Sequence, residues 1–198
     1  MAEFIAMIRS STLPLLLAVA PVPAAAQMSP PAAPAAYLDP LRRTLPAGEY
    51  ARRAAAYELF QRQAAQTILK TSRNPQIRKL AQQLLADHGR GAADLRAAAA
   101  KSGIRIDAAL STVEFKQMVA KLGFAAADAR DTLYLTQQRA MHERMITIHQ
   151  DYANAGDQPA LKEAAARLAA IEQEHLESIK AADAGVPLPV SVPAPPTP

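Results

Sequence analysis

Proline placement constrains this 198-residue chain most. Of its 16 prolines, only Pro75 and Pro159 lie between Ala47 and Gly185. An interior proline removes a helical hydrogen bond and clashes with the preceding turn, so the segment between those limits can be helical almost throughout. Its two prolines mark helix starts. Asn74-Pro75 is an N-cap followed by proline at the first helical position, and Gly156-Asp157-Gln158-Pro159 is a C-terminal glycine followed by a second cap. The composition, rich in alanine and leucine and only 5% aromatic, favours helix over sheet.

The spacing predicts four long helices: Ala47 to Ser72, Pro75 to Ser102, Ala126 to Ala155 and Gln158 to Ala184. A shorter helix is expected in the crossover from Gly103 to Gly123, with Ser111 and Glu114 as a capping box and Gly123 as its stop. The expected fold is all-α, an up-down-up-down four-helix bundle with a short extra helix between the second and third long helices. The bundle domain spans 47–185. It is flanked by Pro/Ala-rich segments, 27–46 and 186–198, that cannot form a core and read as disordered. The ending Pro-Ala-Pro-Pro-Thr-Pro has the composition of a polyproline helix that engages a partner, but a disordered tail is the expected reading.

Residues 1–26 read as a secretion signal. Arg9 supplies the positive start, Leu13 to Ala20 the apolar stretch, and Ala24-Ala25-Ala26 before Gln27 the small-residue cleavage site; Met7 is an alternative start. The stretch is short and contains Pro14, so the mature chain is expected to have no stable transmembrane span and to be periplasmic, or anchored in the inner membrane if the leader is not cut. Removing residues 1–26 takes away one Glu and one Arg and leaves the charge at +4. Basic pairs such as Arg42-Arg43, Arg52-Arg53 and Arg78-Lys79 are scattered rather than striped with aromatics, which excludes nucleic acid as an expected partner. The absence of cysteine excludes thiol chemistry, disulfides and iron–sulfur clusters, and neither a Gly-rich phosphate loop nor a Gly-x-Ser-x-Gly elbow occurs.

Histidines carry what chemistry there is. Ile77, Leu80, Ala81, Leu84, His88, Ala92 and Leu95 share one helical stripe. Leu135, Gln138, His142, Met145 and His149 share a second, and Leu161, Ala165, Leu168, Glu172, His175 and Ile179 a third. With both hairpin turns at one end, Glu58, Gln61, His88, His142, Glu172 and His175 sit roughly 20 to 27 Å from it and form one layer. His149 lies about two turns away and reads as an interface or surface residue. Asp131 and Tyr134 read as structural contacts to a neighbouring helix. Met118, Met141 and Met145 lack regular spacing and read as packing residues.

Pro75, the Asp87-His88 pair, Asp131 with Tyr134, the run Gln138 to Tyr152 and Glu174-His175-Leu176 together resemble a bacterial family, the domain of unknown function numbered four-one-four-two, over Ala47 to Asp183. The resemblance implies a ferritin-like four-helix bundle exported to the cell envelope, with no established activity and with recurrent histidines at His88, His142 and His175. It also implies a glutamate mid-way along the first helix, where this chain has Gln61 with Glu58 one turn before.

Di-iron bundles need Glu-x-x-His twice and two further glutamates. This chain has the motif once, as Glu172-x-x-His175, and the adjacent Asp87 and His88 point about 100° apart. A complete ferroxidase centre is therefore not expected, and no residue is assigned a catalytic role. The remaining candidate is a single ion, with iron, zinc or copper as the metals, held by His88, His142 and His175 with Glu172 or Glu58. The competing reading is a polar layer that fixes helix register in a non-enzymatic envelope scaffold or stress-protective protein. Alanine-rich stretches, Ala97 to Ala100 and Ala164 to Ala170, would let helices approach closely within the bundle, between subunits of a homo-oligomer, or against an envelope partner.

Overall fold

The structure is a computed structural model and describes residues 44–107 and 111–189. The leader read at 1–26, the stretch 27–43 and residues 190–198 lie outside the described residues. Five helices follow in order: α1 Ala47–Thr71, α2 Pro75–Lys101, α3 Val113–Phe124, α4 Ala127–Ala155 and α5 Pro159–Asp183, with no strand among the described residues. The long helices end within one residue of expectation.

Their ends follow from local chemistry. Asn74 Oδ1 accepts from the backbone N–H groups of Gln76 (2.9 Å) and Ile77 (3.3 Å), satisfying two orphan donors of α2. At the other end Gly103 takes φ 69°, a left-handed conformation open to glycine, so that Ile104 N–H can bond Ala99 carbonyl at 2.8 Å. Three expectations fail locally. The cap of α3 is Thr112, whose hydroxyl accepts from Phe115 N–H at 3.1 Å, rather than Ser111, and the helix runs through Gly123 to Phe124. Asp157 does not cap α5; it accepts the Tyr152 hydroxyl at 2.8 Å. Gly156 is needed for room, since a Cβ there would fall 2.5 Å from Tyr152 carbonyl oxygen and 2.6 Å from its ring.

Chain direction corrects the expected up-down-up-down order. Tyr50, early in α1, meets His149 and Tyr152, late in α4, while Ser72, just past α1, donates to Asp131 near the start of α4 at 2.9 Å. Helices α1 and α4 are thus antiparallel. Asp87 and Asp94 of α2 pair with His175 and Arg167 of α5, so those two are antiparallel as well. With α1–α2 and α4–α5 forming the two hairpins, α2 and α4 run the same way and the order is up-down-down-up. The long connection carries the chain back to the end where α1 finished. Helix α3 lies within it, antiparallel to α4 through Glu114–Arg144 (3.2 Å), Met118 carbonyl–Gln137 (3.3 Å) and Leu122 carbonyl–Arg130 (2.9 Å). Phe115 of α3 stacks on Phe60 of α1, ring centroids 4.9 Å apart, so α3 covers the α1–α4 side.

The hairpin turns therefore lie at opposite ends, yet the expected layer survives because its residues lie near mid-helix, about equally far from either end. The core around it is alanine, leucine and aromatic. Burial of each large apolar side chain contributes about 1.5–3 kcal/mol. Leu45 and Leu188 pack against this core, and Gln76 Nε2 bonds the Val186 carbonyl, so the start of the segment expected to be a disordered tail is docked.

Candidate metal centre

At mid-bundle the apolar core is interrupted by Glu58 and Gln61 from α1, His88 from α2, Gln138 and His142 from α4, and Glu172 and His175 from α5, all at most 2% exposed. Burying polar groups costs free energy unless each finds a partner. Every histidine here has one satisfied nitrogen and one orphan. His88 Nδ1–H donates to Glu58 Oε2 at 2.9 Å, His142 Nδ1–H to the Gln138 carbonyl at 2.7 Å, and His175 Nε2–H to Asp87 Oδ2 at 2.9 Å. Those three acceptors set the tautomers, leaving lone pairs on His88 Nε2, His142 Nε2 and His175 Nδ1. All three lack a hydrogen-bond partner, as does Glu172 Oε1, and His142 Nε2 lies 3.3 Å from Glu172 Oε2.

These side chains converge. His88, His142, His175 and Glu172 each offer a ligand atom within 4.8 Å of the others, and the three imidazole centroids are 5.1 to 5.6 Å apart. Tyr57 adds support: its hydroxyl donates to Glu172 Oε2 at 2.6 Å and accepts from Gln61 Nε2 at 2.8 Å, with its ring edge-on to His88 and His142. Glu172 is thus held through Oε2, which also lies 3.3 Å from His142 Nε2, while Oε1 lies 3.7 Å from His88 Nδ1.

Electrostatics reflect this crowding. Burial pushes Glu172 up to about 7, against the opposing pull of His88, and holds Glu58 well above the usual carboxylate range. Burial lowers all three histidines, His142 most clearly, where the neighbouring His175 and His88 add to the effect. Burial alone would raise Asp87, but the hydrogen bond and charge of His175, together with Arg90, keep it below its ordinary value. The imidazoles are thus neutral near pH 7, the form a metal ligand requires.

Four of the five candidate ligands come together, whereas Glu58 stands behind His88 as its hydrogen-bond partner rather than in the converging set. Gly91 makes room for that carboxylate: a Cβ there would sit 3.0 Å from Glu58 Oε1 and 3.0 Å from Leu168 Cδ2. His149 corrects an expectation. It is fully buried, not at the surface, and its Nδ1 is hydrogen-bonded to the Tyr50 hydroxyl at 2.8 Å in a separate layer, where Tyr50 also stacks on Tyr152 with centroids 3.9 Å apart. Burial lowers it to about 3. Sequence reasoning missed Tyr57 and the part played by Asp87. The available signal was spacing: Tyr50 and Tyr57 are seven apart on α1, as His142 and His149 are on α4, which places the pairs on facing stripes.

Among solved structures, a DUF305 fragment from Deinococcus radiodurans is similar in fold, with a TM-score of 0.61 and 12% identity over 71% of this chain and 96% of the fragment. No curated protein matches. None of the described helices is long and apolar enough to cross a membrane. The model of the family described as a domain of unknown function, DUF4142, matches residues 28–182, and the chain belongs to that family.

Proposed function

We propose that this protein is a ferritin-like helical bundle that binds one divalent transition-metal ion through His88 Nε2, His142 Nε2, His175 Nδ1 and Glu172. The carrying observation is the pairing of satisfied and unpartnered nitrogens: each buried imidazole is held by an acceptor at one nitrogen and keeps the other without a hydrogen bond, in a cluster whose four residues offer ligand atoms within 4.8 Å of one another. That is how outer-shell acceptors orient metal-binding histidines. Inward movement of less than about an ångström per side chain would bring these donors to bond lengths of about 2.0–2.2 Å. The single long crossover and the antiparallel hairpins support the ferritin-like assignment.

Three imidazoles and a carboxylate suit zinc, iron(II) or copper(II), with availability deciding among them. Four protein ligands in a buried site fit a structural or holding role better than catalysis, which keeps an open position. The leader read at 1–26 would deliver the chain to the periplasm. Fractionation of cells expressing the full chain tests that step: soluble periplasmic protein supports it, and cytoplasmic protein of full length refutes it.

The metal reading is tested on protein purified without an affinity tag, stripped with chelator and titrated with Zn²⁺, Fe²⁺ and Cu²⁺. One tightly bound equivalent is expected, lost in a His88→Gln/His142→Gln/His175→Gln variant whose circular dichroism confirms the helical fold. Equal, substoichiometric metal in both proteins would refute it.

A further inference from the structure

Beyond the ligand set, and resting on the metal reading above, the geometry points to a portal: we propose that ions enter and leave through the α2–α5 seam. There Asp87 is the capturing carboxylate, His175 the shutter and Arg90 the gatekeeper.

Burial singles out this path. Among the residues hydrogen-bonded into the cluster, Tyr57, Glu58, Gln61 and Gln138 are at most 1% exposed, whereas the Asp87 side chain is 16% exposed. Asp87 divides its oxygens between inside and outside. Oδ2 takes the proton of buried His175 Nε2 at 2.9 Å, while Oδ1 is paired with Arg90, whose side chain is 73% exposed. Across the bundle the α1–α4 side is closed by α3 through the Phe60–Phe115 stack. The α2–α5 seam instead carries two polar pairs, Asp87–His175 and, two turns further on, Arg167 bidentate on Asp94 at 3.0 Å.

The imidazole of His175 stands between Asp87 and the cluster, with Nε2 on the carboxylate and Nδ1 facing inward. An arriving cation displaces Arg90 from Oδ1, bonds the carboxylate, and passes inward when the His175 ring turns. The charge of Arg90 opposes arrival, because cations approach a site more slowly when a like charge guards it.

Detailed balance provides the test. A residue on the path but outside the bound complex changes uptake and release rates by the same factor and leaves the equilibrium constant unaltered. A residue that only orients a ligand changes release alone. The full-length metal-free chain is mixed with Co²⁺ in a stopped-flow instrument and followed by the visible absorbance of the bound ion, with release measured by a chelator chase.

Arg90→Ala should accelerate both rates by about three- to tenfold at low ionic strength, an advantage that shrinks as salt screens the charge. Asp87→Asn keeps an acceptor for His175 but removes the charge, and should slow uptake by about tenfold. Rates for Arg90→Ala within twofold of the unaltered chain, with Asp87→Asn changing release only, would overturn the portal while leaving the metal site standing. Failure of the unaltered chain to bind one Co²⁺ would instead overturn the metal reading and the portal with it.

Discussion

Glu58 is where metal affinity and fold stability pull in opposite directions, so Glu58→Gln should separate them. In the folded protein its Oε2 accepts from His88 Nδ1 at 2.9 Å, and burial holds the carboxyl well above its ordinary value. Losing an outer-shell partner of a metal-bound histidine typically costs 10- to 100-fold in affinity, about 1.4–2.7 kcal/mol. Glutamine keeps an acceptor oxygen, so the loss should be near tenfold; Glu58→Leu, which removes the acceptor, should approach a hundredfold. The metal-free fold should respond the other way. A carboxyl raised by folding contributes stability that is fully present below its ordinary value of 4.5 and is lost as pH rises through its folded value. Glu58→Gln should therefore match the unaltered chain at pH 4 and resist urea better at pH 8. Zn²⁺ competition against a chromophoric chelator gives the first quantity and urea midpoints of the stripped proteins the second. Unchanged affinity, or a variant weaker in urea at pH 8, would refute the reasoning.

Further outcomes follow from neighbouring contacts. Gly91→Ala forces a methyl against Glu58 and Leu168 and should destabilise by up to about 2 kcal/mol, overpacking outweighing the helix-propensity gain. Gly89→Ala meets nothing within 4 Å and should stabilise by about 0.5–1 kcal/mol, so thermal unfolding of the two should diverge in sign. Tyr50→Phe strands His149 Nδ1 in the core and should cost about 1–3 kcal/mol while leaving metal stoichiometry at its original value. Acidification of the stripped protein tests the histidines together. All four are lowered by folding, so their stabilisation is present above pH 6.5 and lost as pH falls toward their folded values. Glu58 and Glu172, both raised, act in the opposite sense. Unfolding between pH 6.5 and 4.5 should therefore take up fewer than four protons, measurable from the pH slope of the urea-derived free energy; a slope of four or more would contradict the raised carboxyls.

The helices were legible because helix boundaries are local. Asn74-Pro75 and the glycines 103 and 185 act on their own turns, and the histidine stripes need only a period near 3.6. Direction was not local. Whether the chain re-enters at one end of the bundle or the other depends on how the connection Ser102 to Ala126 packs, and nothing in the stripes distinguishes the two because mid-helix residues keep their depth either way. His149 was misplaced because distance from a layer was equated with distance from the core, whereas Tyr50 and Tyr152 build a second buried polar contact one heptad along. The role of Asp87 was not legible for a related reason. Its angle from His88 correctly removed it from the ion, but the same angle aims it across the seam at the far side of His175.

The chain order of the ligands bears on folding kinetics. His142, Glu172 and His175 belong to the second hairpin and His88 to the first, so the four donors meet only after the two halves have docked across a connection of high sequence separation. Interactions completed that late are largely missing from the transition state and act on the escape rate rather than on the speed of assembly. A captured ion would work as a clasp, scarcely hastening the formation of the bundle but lengthening its lifetime once shut.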